Sequence, residues 1–348
     1  MPSRSNRAGI LPAAFAQDGA PDAVCGSAPP IPPEARLVVL VGPTAVGKTA
    51  VAVALCERFD GEVISLDSRQ LVRGLDIGTA KPSANERRRA RHHLVDVADP
   101  REPWPLTRVV GAARASVADI HRRGKLPVVA GGTGQYVWAL VEGWRVPSVP
   151  PDPVFRERME AVASQEGAEM LHARLAEVDP ASAASIDARN VRRVIRALEI
   201  HHHTGLPKSV VAGKDGPPCS MLILGLTRPR EALYARVDAR IDQMIAAGLE
   251  AEVRALVAAG IDFGLPAMSS LGYREWQSFL AGEVDQAEVL RRIRANTRRL
   301  VRTQSNWFAP DDGRIRWLDL ERTTPAEVAG LVASFLAANP SPPVPPQE

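Results

Sequence analysis

Cysteine is scarce in this chain: 348 residues contain three, Cys25, Cys56 and Cys219, widely separated and forming no Cys-x-x-Cys pair. That argues against a disulfide framework and a cysteine-built zinc site, and it points to a reducing, cytoplasmic setting. No apolar run approaches the length needed to cross a bilayer, so no membrane partner is expected. A secretory signal is not expected either, because "AGILPAAFAQDGA" is short and broken by Pro12 and Asp18. An organellar transit peptide is the alternative reading of that end. Internal repeats are absent, and the net charge of +3 is mild.

With 45% hydrophobic and 24% charged residues the composition is that of an ordinary soluble globular protein, long enough for two domains or one large one. Residues 1–34, rich in Pro, Ala, Ser and Arg, and residues 336–348, ending in "PSPPVPPQE", have little with which to build a core and are expected to be disordered tails. Charge is unevenly spread between them. "RRIRANTRRLVR", Arg291 to Arg302, carries six arginines and no acid, and "RRRARHH" and "RNVRRVIRALEI" are further basic clusters. On a helix Leu290, Ile293, Thr297 and Leu300 would share a core-facing stripe. Arg291, Arg294, Arg298 and Arg302 would then line an adjacent one, free to follow a nucleic-acid backbone.

The most specific local signal is "VVLVGPTAVGKTAVA", residues 38–52. Gly42, Pro43, Thr44, Ala45, Val46, Gly47, Lys48 and Thr49 fit the phosphate-loop pattern G-x-x-x-x-G-K-[ST] at every fixed position. The apolar run Leu37 to Val41 reads as a buried strand entering the loop, and Thr49 to Glu57 as a helix leaving it. Such a loop turns backbone N–H groups inward as an anion nest at a helix N-terminus, Lys48 adds a full charge, and the Thr49 hydroxyl can ligate Mg²⁺. This specifies a polyphosphate without specifying a nucleotide.

Two further pieces fall at strand ends. In "GEVISLDSRQ", Val63 to Leu66 read as a short buried strand with Asp67 at its C-terminal end, where ligands sit in an open parallel sheet. Asp67 suits a magnesium-holding carboxylate, a general base or a helix N-cap, and its local sequence does not separate the three. "KLPVVAGGTGQYVWALVEG" repeats the design, with Leu126 to Ala130 as strand, Gly131-Gly132-Thr133-Gly134 as the turn and a helix from Gln135. A turn of that kind lets backbone approach a ligand closely, although a plain strand-to-helix connection accounts for it equally well.

These stretches, together with "DSRQLVRGLDIGTAKP", "HHLVD", "IDQMIAAGLEAEV", "SLGYREW" and "NTRRLVRTQSNWF", come in the order and spacing of the bacterial tRNA dimethylallyltransferases. The chain resembles that family from about Leu37 to Trp317. The resemblance implies transfer of a dimethylallyl group from dimethylallyl diphosphate to N6 of the adenosine 3′ of the anticodon, with release of diphosphate. It implies an α/β fold: a P-loop NTPase-like core with a parallel sheet flanked by helices, formed by 35–143 and 216–335. A mostly helical insertion, 144–215, would grip the anticodon stem-loop. The phosphate loop, Gly42 to Thr49, would hold the donor diphosphate, with Arg240 nearby and Mg²⁺ on Thr49. Asp67 would be the general base and Thr133 a hydroxyl beside the donor's reacting end. By the same resemblance the tRNA-binding residues are Asp67, Ser68, Arg69, Gln70, Thr133, Arg156, Arg192, Arg193, Val194, Ile195 and Arg196, with Ser269, Ser270, Leu271, Gly272, Tyr273 and Arg274. Arg302, Thr303, Gln304, Ser305, Asn306, Trp307, Phe308 and Ala309 complete them. A monomer is expected.

The chain departs from the family pattern at Val72, where Tyr is usual, and at Thr303 and Asn306, where Arg or Lys and Thr are usual. The rival readings are a small-molecule P-loop kinase using ATP and a non-catalytic tRNA-binding module. The second is disfavoured because Lys48, Thr49, Asp67 and Thr133 are all present.

Overall fold

The computed structural model describes residues 30–338. Cys25 and most of both expected tails lie outside the described residues. Close to the boundaries, Ile31 is buried in the core and the last helix continues to Ala337, so the packed chain takes in residues that composition alone assigns to the tails.

The first part of the chain alternates strand and helix: β1 (Arg36–Val41), α1 (Lys48–Phe59), β2 (Gly61–Leu66), α2 (Ala84–Arg89), β3 (His92–His93), α3 (Leu106–Arg122), β4 (Leu126–Gly131) and α4 (Gly134–Val141). Next come β5 (Trp144–Arg145), five helices α5 (Pro153–Glu166), α6 (Ala168–Val178), α7 (Pro180–Ser185), α8 (Val191–Thr204) and α9 (Lys208–Val211), and β6 (Gly213–Lys214). The chain closes with β7 (Ser220–Thr227), α10 (Arg230–Ala246), α11 (Leu249–Ala258), α12 (Gln277–Leu280), α13 (Gln286–Gln304), β8 (Ile315–Asp319) and α14 (Pro325–Ala337).

Six strands form one sheet in the order β3-β2-β4-β1-β7-β8, and every neighbouring pair is parallel. This is the P-loop type of α/β core expected from the sequence. Central strands of such a sheet are covered on both faces, which is why β1 reads "RLVVLV" with no polar residue after its first. Val38 and Leu40 pack toward one helical layer and Leu37, Val39 and Val41 toward the other. Because β1, β2 and β4 are parallel neighbours in the sheet, their C-terminal ends share one edge. The phosphate loop, Asp67 and the glycine turn at 131–134 are the segments that leave those three ends.

Between β4's helix and β7 the chain makes a separate helical layer with its own apolar cluster, including Phe155, Met159, Leu171, Leu175, Val194 and Ile195. Its two ends pair antiparallel as β5 and β6, with Trp144 opposite Lys214. At the foot of that ribbon Asp215 N–H donates to Gly143 C=O at 3.0 Å and Gly216 N–H to Glu142 C=O at 3.1 Å.

Helix α13 differs from the expected arginine stripe in register and in charge. Its fully covered row is Val289, Ile293, Thr297 and Val301, one every four residues, while Leu290 and Leu300 are only half-buried. The adjacent arginines are not free. Arg291 and Arg292 pair with Glu288, while Arg294 pairs with Asp242 and Arg298 with Asp238, both on α10. Two of the neutralising carboxylates come from another helix and the third, Glu288, sits in the first turn of α13 just ahead of the run, so the run itself shows no acid. Arg302 meets only the Tyr234 hydroxyl, at 3.3 Å, and Arg299 is exposed with no polar partner among the described residues.

Candidate functional site

Backbone geometry makes the phosphate loop. Gly42 and Gly47 take φ of 138° and 116°, values that side chains rarely tolerate, and Ala45 sits at 66°. At Gly42 the constraint is doubled, since a Cβ there would lie 2.4 Å from the Leu226 carbonyl oxygen of neighbouring β7. Gly47 caps α1, so the N–H groups of the first helical turn face the cleft with no side chain satisfying them.

Lys48 folds back over its own loop, donating to the carbonyls of Gly42 and Pro43 at 2.9 Å each. Burial pulls its ammonium down to about 8, against the attraction of Asp67, and Arg240 lowers it further. Arg240, on α10, is itself deeply set and pulled below the usual arginine value by burial. It donates to Ala80 C=O at 3.4 Å and feels the Asp67 charge. Two more arginines brace the loop from outside: Arg228 donates to Val46 C=O at 3.0 Å and Arg236 to Ala45 C=O at 2.9 Å. Sequence reading missed both. The signal available was their position just after β7, another strand that ends on the same edge.

Asp67 follows β2 directly. No helix begins there, so it is no helix cap; its Oδ1 accepts the Arg69 N–H at 2.9 Å in a local turn. Thr133 accepts the Ser68 N–H at 3.1 Å and thus ties the end of β2 to the turn after β4. The two strand ends and the loop converge around Gly132, where a Cβ would lie 3.7 Å from Lys48 Nζ and 4.0 Å from Asp67 Oδ2. Lys48, Thr49, Ser65, Asp67, Gln70 and Gly132 line one cleft. Its oxygen donors, the Thr49 and Ser65 hydroxyls and the Asp67 carboxylate, are of the kind that hard divalent cations take.

The "DIGTAKP" segment forms the far wall. Glu252 of α11 receives the N–H groups of Asp76 and Ile77 and the Tyr273 hydroxyl, which in turn accepts the Gly78 N–H at 3.0 Å. Lys81 is buried between Asp76, Asp96 and the Val72 carbonyl. Gln70 joins this wall to the cleft, donating to Ala80 C=O at 3.2 Å and accepting from the Ser65 hydroxyl at 2.9 Å.

Of the residues marked by sequence for RNA, Asp67, Ser68, Gln70, Thr133, Leu271 and Gln304 are half-buried, and the others fall into three groups. Arg69, Arg192, Arg193, Ser269, Arg274, Arg302, Thr303, Ser305, Asn306, Trp307 and Ala309 are exposed. Val194, Ile195, Ser270, Gly272, Tyr273 and Phe308 are buried and belong to the packing that presents their neighbours. Tyr273, fully covered, spends its hydroxyl on Glu252. Arg156 and Arg196 both bind Glu199, a carboxylate with no solvent exposure that also accepts the Asp152 N–H. Burial would raise the Glu199 carboxyl, but those three donors hold it at about 2. Val72 borders a second cavity of about 260 Å³, with Ser68, Arg69, Trp104 and Tyr136 on its walls.

Comparison with known proteins gives a consistent result. The IPP transferase family model matches residues 70–311 and the isopentenyl transferase model residues 35–98. A tRNA dimethylallyltransferase of Chloroflexus aurantiacus is 50% identical over 273 residues, covering 78% of this chain and 92% of the relative. The crystal structure of the full-length tRNA isopentenylpyrophosphate transferase of Bacillus halodurans superposes with a TM-score of 0.65 at 37% identity, covering 87% of this chain and 97% of that one. A eukaryotic dimethylallyltransferase acting on tRNA superposes with a TM-score of 0.75 at 25% identity, over 87% of this chain and 80% of that one.

Proposed function

The chain belongs to the IPP transferase family, and from that premise we propose that it prenylates tRNA, moving a dimethylallyl group from dimethylallyl diphosphate to N6 of the adenosine 3′ of the anticodon. The observation that carries the reading is the convergence on Gly132, where a cation that suits a diphosphate and a carboxylate that suits a base flank one small space.

In this reaction the bond between the donor's first carbon and its diphosphate oxygen breaks, and the electron pair leaves with the diphosphate. A carbon–nitrogen bond forms to the adenine amine, whose proton goes to Asp67. Charge grows on the leaving oxygens, and the phosphate-loop N–H groups, Lys48 and Arg240 face that growth. An exocyclic adenine amine is a weak nucleophile, so removal of its proton by Asp67 as the bond forms lowers the barrier. Thr133 fixes the Asp67–Ser68 turn from the other side. Thr49, with the Ser65 hydroxyl beside it, would hold a Mg²⁺, which supplies countercharge to the diphosphate when bound and leaves the Asp67 carboxylate to the proton.

The adenine must leave its stack to reach this cleft. The exposed Arg69, Arg274, Arg302 and Trp307 and the cavity walled by Trp104 and Tyr136 have the basic and aromatic chemistry on which splayed RNA bases stack. The exposed charges of Arg192 and Arg193 on the insertion support a contact with the stem backbone. Among the described residues no helix is long and apolar enough to cross a membrane. The test is incubation with labelled dimethylallyl diphosphate and unmodified tRNA, followed by mass analysis of the nucleosides. Phosphoryl transfer from labelled ATP with no prenylated adenosine would replace this reading by the kinase one.

A further inference from the structure

Gln304 ends α13, and the sequence gives it no distinction from its neighbours in the segment matched to RNA. Its side chain does not face outward. Oε1 accepts the Thr44 N–H of the phosphate loop at 2.8 Å, and Nε2 donates to the Gly132 carbonyl, in the turn after β4, at 3.2 Å. The amide orientation follows from its partners, since an N–H requires an acceptor and a carbonyl requires a donor. A Cβ on Gly132 would lie 3.0 Å from that same Nε2, beside Lys48 and Asp67.

The chain beyond Gln304 is held as firmly. The Trp307 ring lies on Gly134, where a Cβ would come within 2.3 Å of it, and the Trp307 carbonyl accepts the Trp138 indole N–H at 2.7 Å. Phe308 is buried behind. The Gln304 backbone is thus anchored by α13 on one side and by this strap on the other, and its side chain crosses the space between the two glycine-rich loops. Only an amide of this length both accepts and donates there. A glutamate would lose the donor, and an asparagine would fall short by one methylene.

We infer that Gln304 is a positioning residue of the transfer reaction: its amide latches the phosphate loop to the turn after β4 and so sets the gap across which the leaving diphosphate faces Asp67. The inference rests on the function proposed above. Loss of the latch leaves the anion-binding groups in place but lets the two halves of the site drift, and a misplacement of about 1 Å costs on the order of a hundredfold in rate.

The experiment uses the full chain with Gln304→Ala and Gln304→Met, the second filling the same volume without either hydrogen bond in case the first does not fold. Both should lower kcat for transfer to tRNA by about tenfold to a hundredfold. The KM for tRNA, the affinity for inorganic diphosphate with Mg²⁺ and the melting temperature should stay close to the parent's. A raised KM for tRNA at unchanged kcat would make Gln304 an RNA contact and overturn the latch. So would parent-like kinetics in both variants, or a lowered melting temperature with parent kcat per folded molecule. A parent that transfers nothing overturns the proposed function and the latch with it, whereas an active parent with unaltered variants overturns the latch alone.

Discussion

Two concentrations of positive charge can be compared in this molecule, one around the phosphate loop and one along α13. Around the loop, Lys48, Arg236 and Arg240 donate to backbone carbonyls, which carry no net charge, so the cations remain available to an anion. Along α13, Arg291, Arg292, Arg294 and Arg298 meet carboxylates and are largely neutralised. The denser run of arginine is therefore the weaker anion site. What decides the use of a cation is the partner that holds it, and a carbonyl holds it without cancelling it.

The comparison breaks first, and by the largest margin, at Lys48. Lys48→Ala should lower kcat/KM for the donor by about a thousandfold, because it removes the central cation facing the leaving group. Activity within tenfold of the parent would show that the arginines alone supply the charge. Asp67→Asn is next, with turnover down by about a hundredfold and tRNA affinity kept. An amide oxygen can still accept the Arg69 N–H, so melting should not change; a large drop in melting temperature would give Asp67 a structural role instead.

The paired class is probed by Glu199→Gln in the insertion. Removing the carboxylate strands Arg156 and Arg196, and because both guanidiniums are partly exposed the loss should be about 2 kcal/mol, below that of a fully buried pair. Calorimetric melting would show it. Its pH dependence has a definite sign: a carboxyl held at about 2 stabilises the fold above its ordinary value and loses that contribution as pH falls from about 4.5 toward 2.

A smaller effect separates the two sides of α13. Arg299→Ala with Arg302→Ala should flatten the slope of log affinity for tRNA against log salt by up to about one unit per lost contact. Arg298→Ala should leave that slope alone and cost about 1 kcal/mol of stability through Asp238 and the Tyr234 ring. Equal salt slopes for the two variants would erase the distinction drawn here. The smallest effect is a pH response. As pH rises through about 8 the ligand-free Lys48 loses its proton, so kcat/KM for the donor should decline before kcat does, since bound diphosphate favours the charged form. Parallel declines in a pH–rate series would assign the ionisation elsewhere.

Much of the site was legible in the sequence because its parts are local. The loop pattern carries its own chemistry, and Asp67 and the 131–134 turn each follow a recognisable buried strand, so the parallel-sheet rule brings them to one edge. The arginine run was misread because two of its partners, Asp238 and Asp242, lie on α10 more than fifty positions upstream, where pairing leaves no trace in the run, and the third, Glu288, sits just ahead of it. Tyr273 was assigned to RNA although it is wholly buried, for a similar reason: Glu252, which takes its hydroxyl, sits on a different helix. The expected core stripe of α13 missed its register because alternating steps of three and four fit Leu290 and Leu300 as well as a strict step of four fits Val289 and Val301. Only the packing partner distinguishes the two rows.

The ribbon at the base of the insertion has an evolutionary consequence. Glu142 and Gly143, just before β5, bond to Gly216 and Asp215, just after β6, so the whole intervening layer leaves the core and rejoins it at adjacent points. Joining those points directly would require only a tight turn, with little change in closure entropy for the core. The helical layer is thus a cassette: its length can change while the sheet and the edge that carries the phosphate loop keep their geometry.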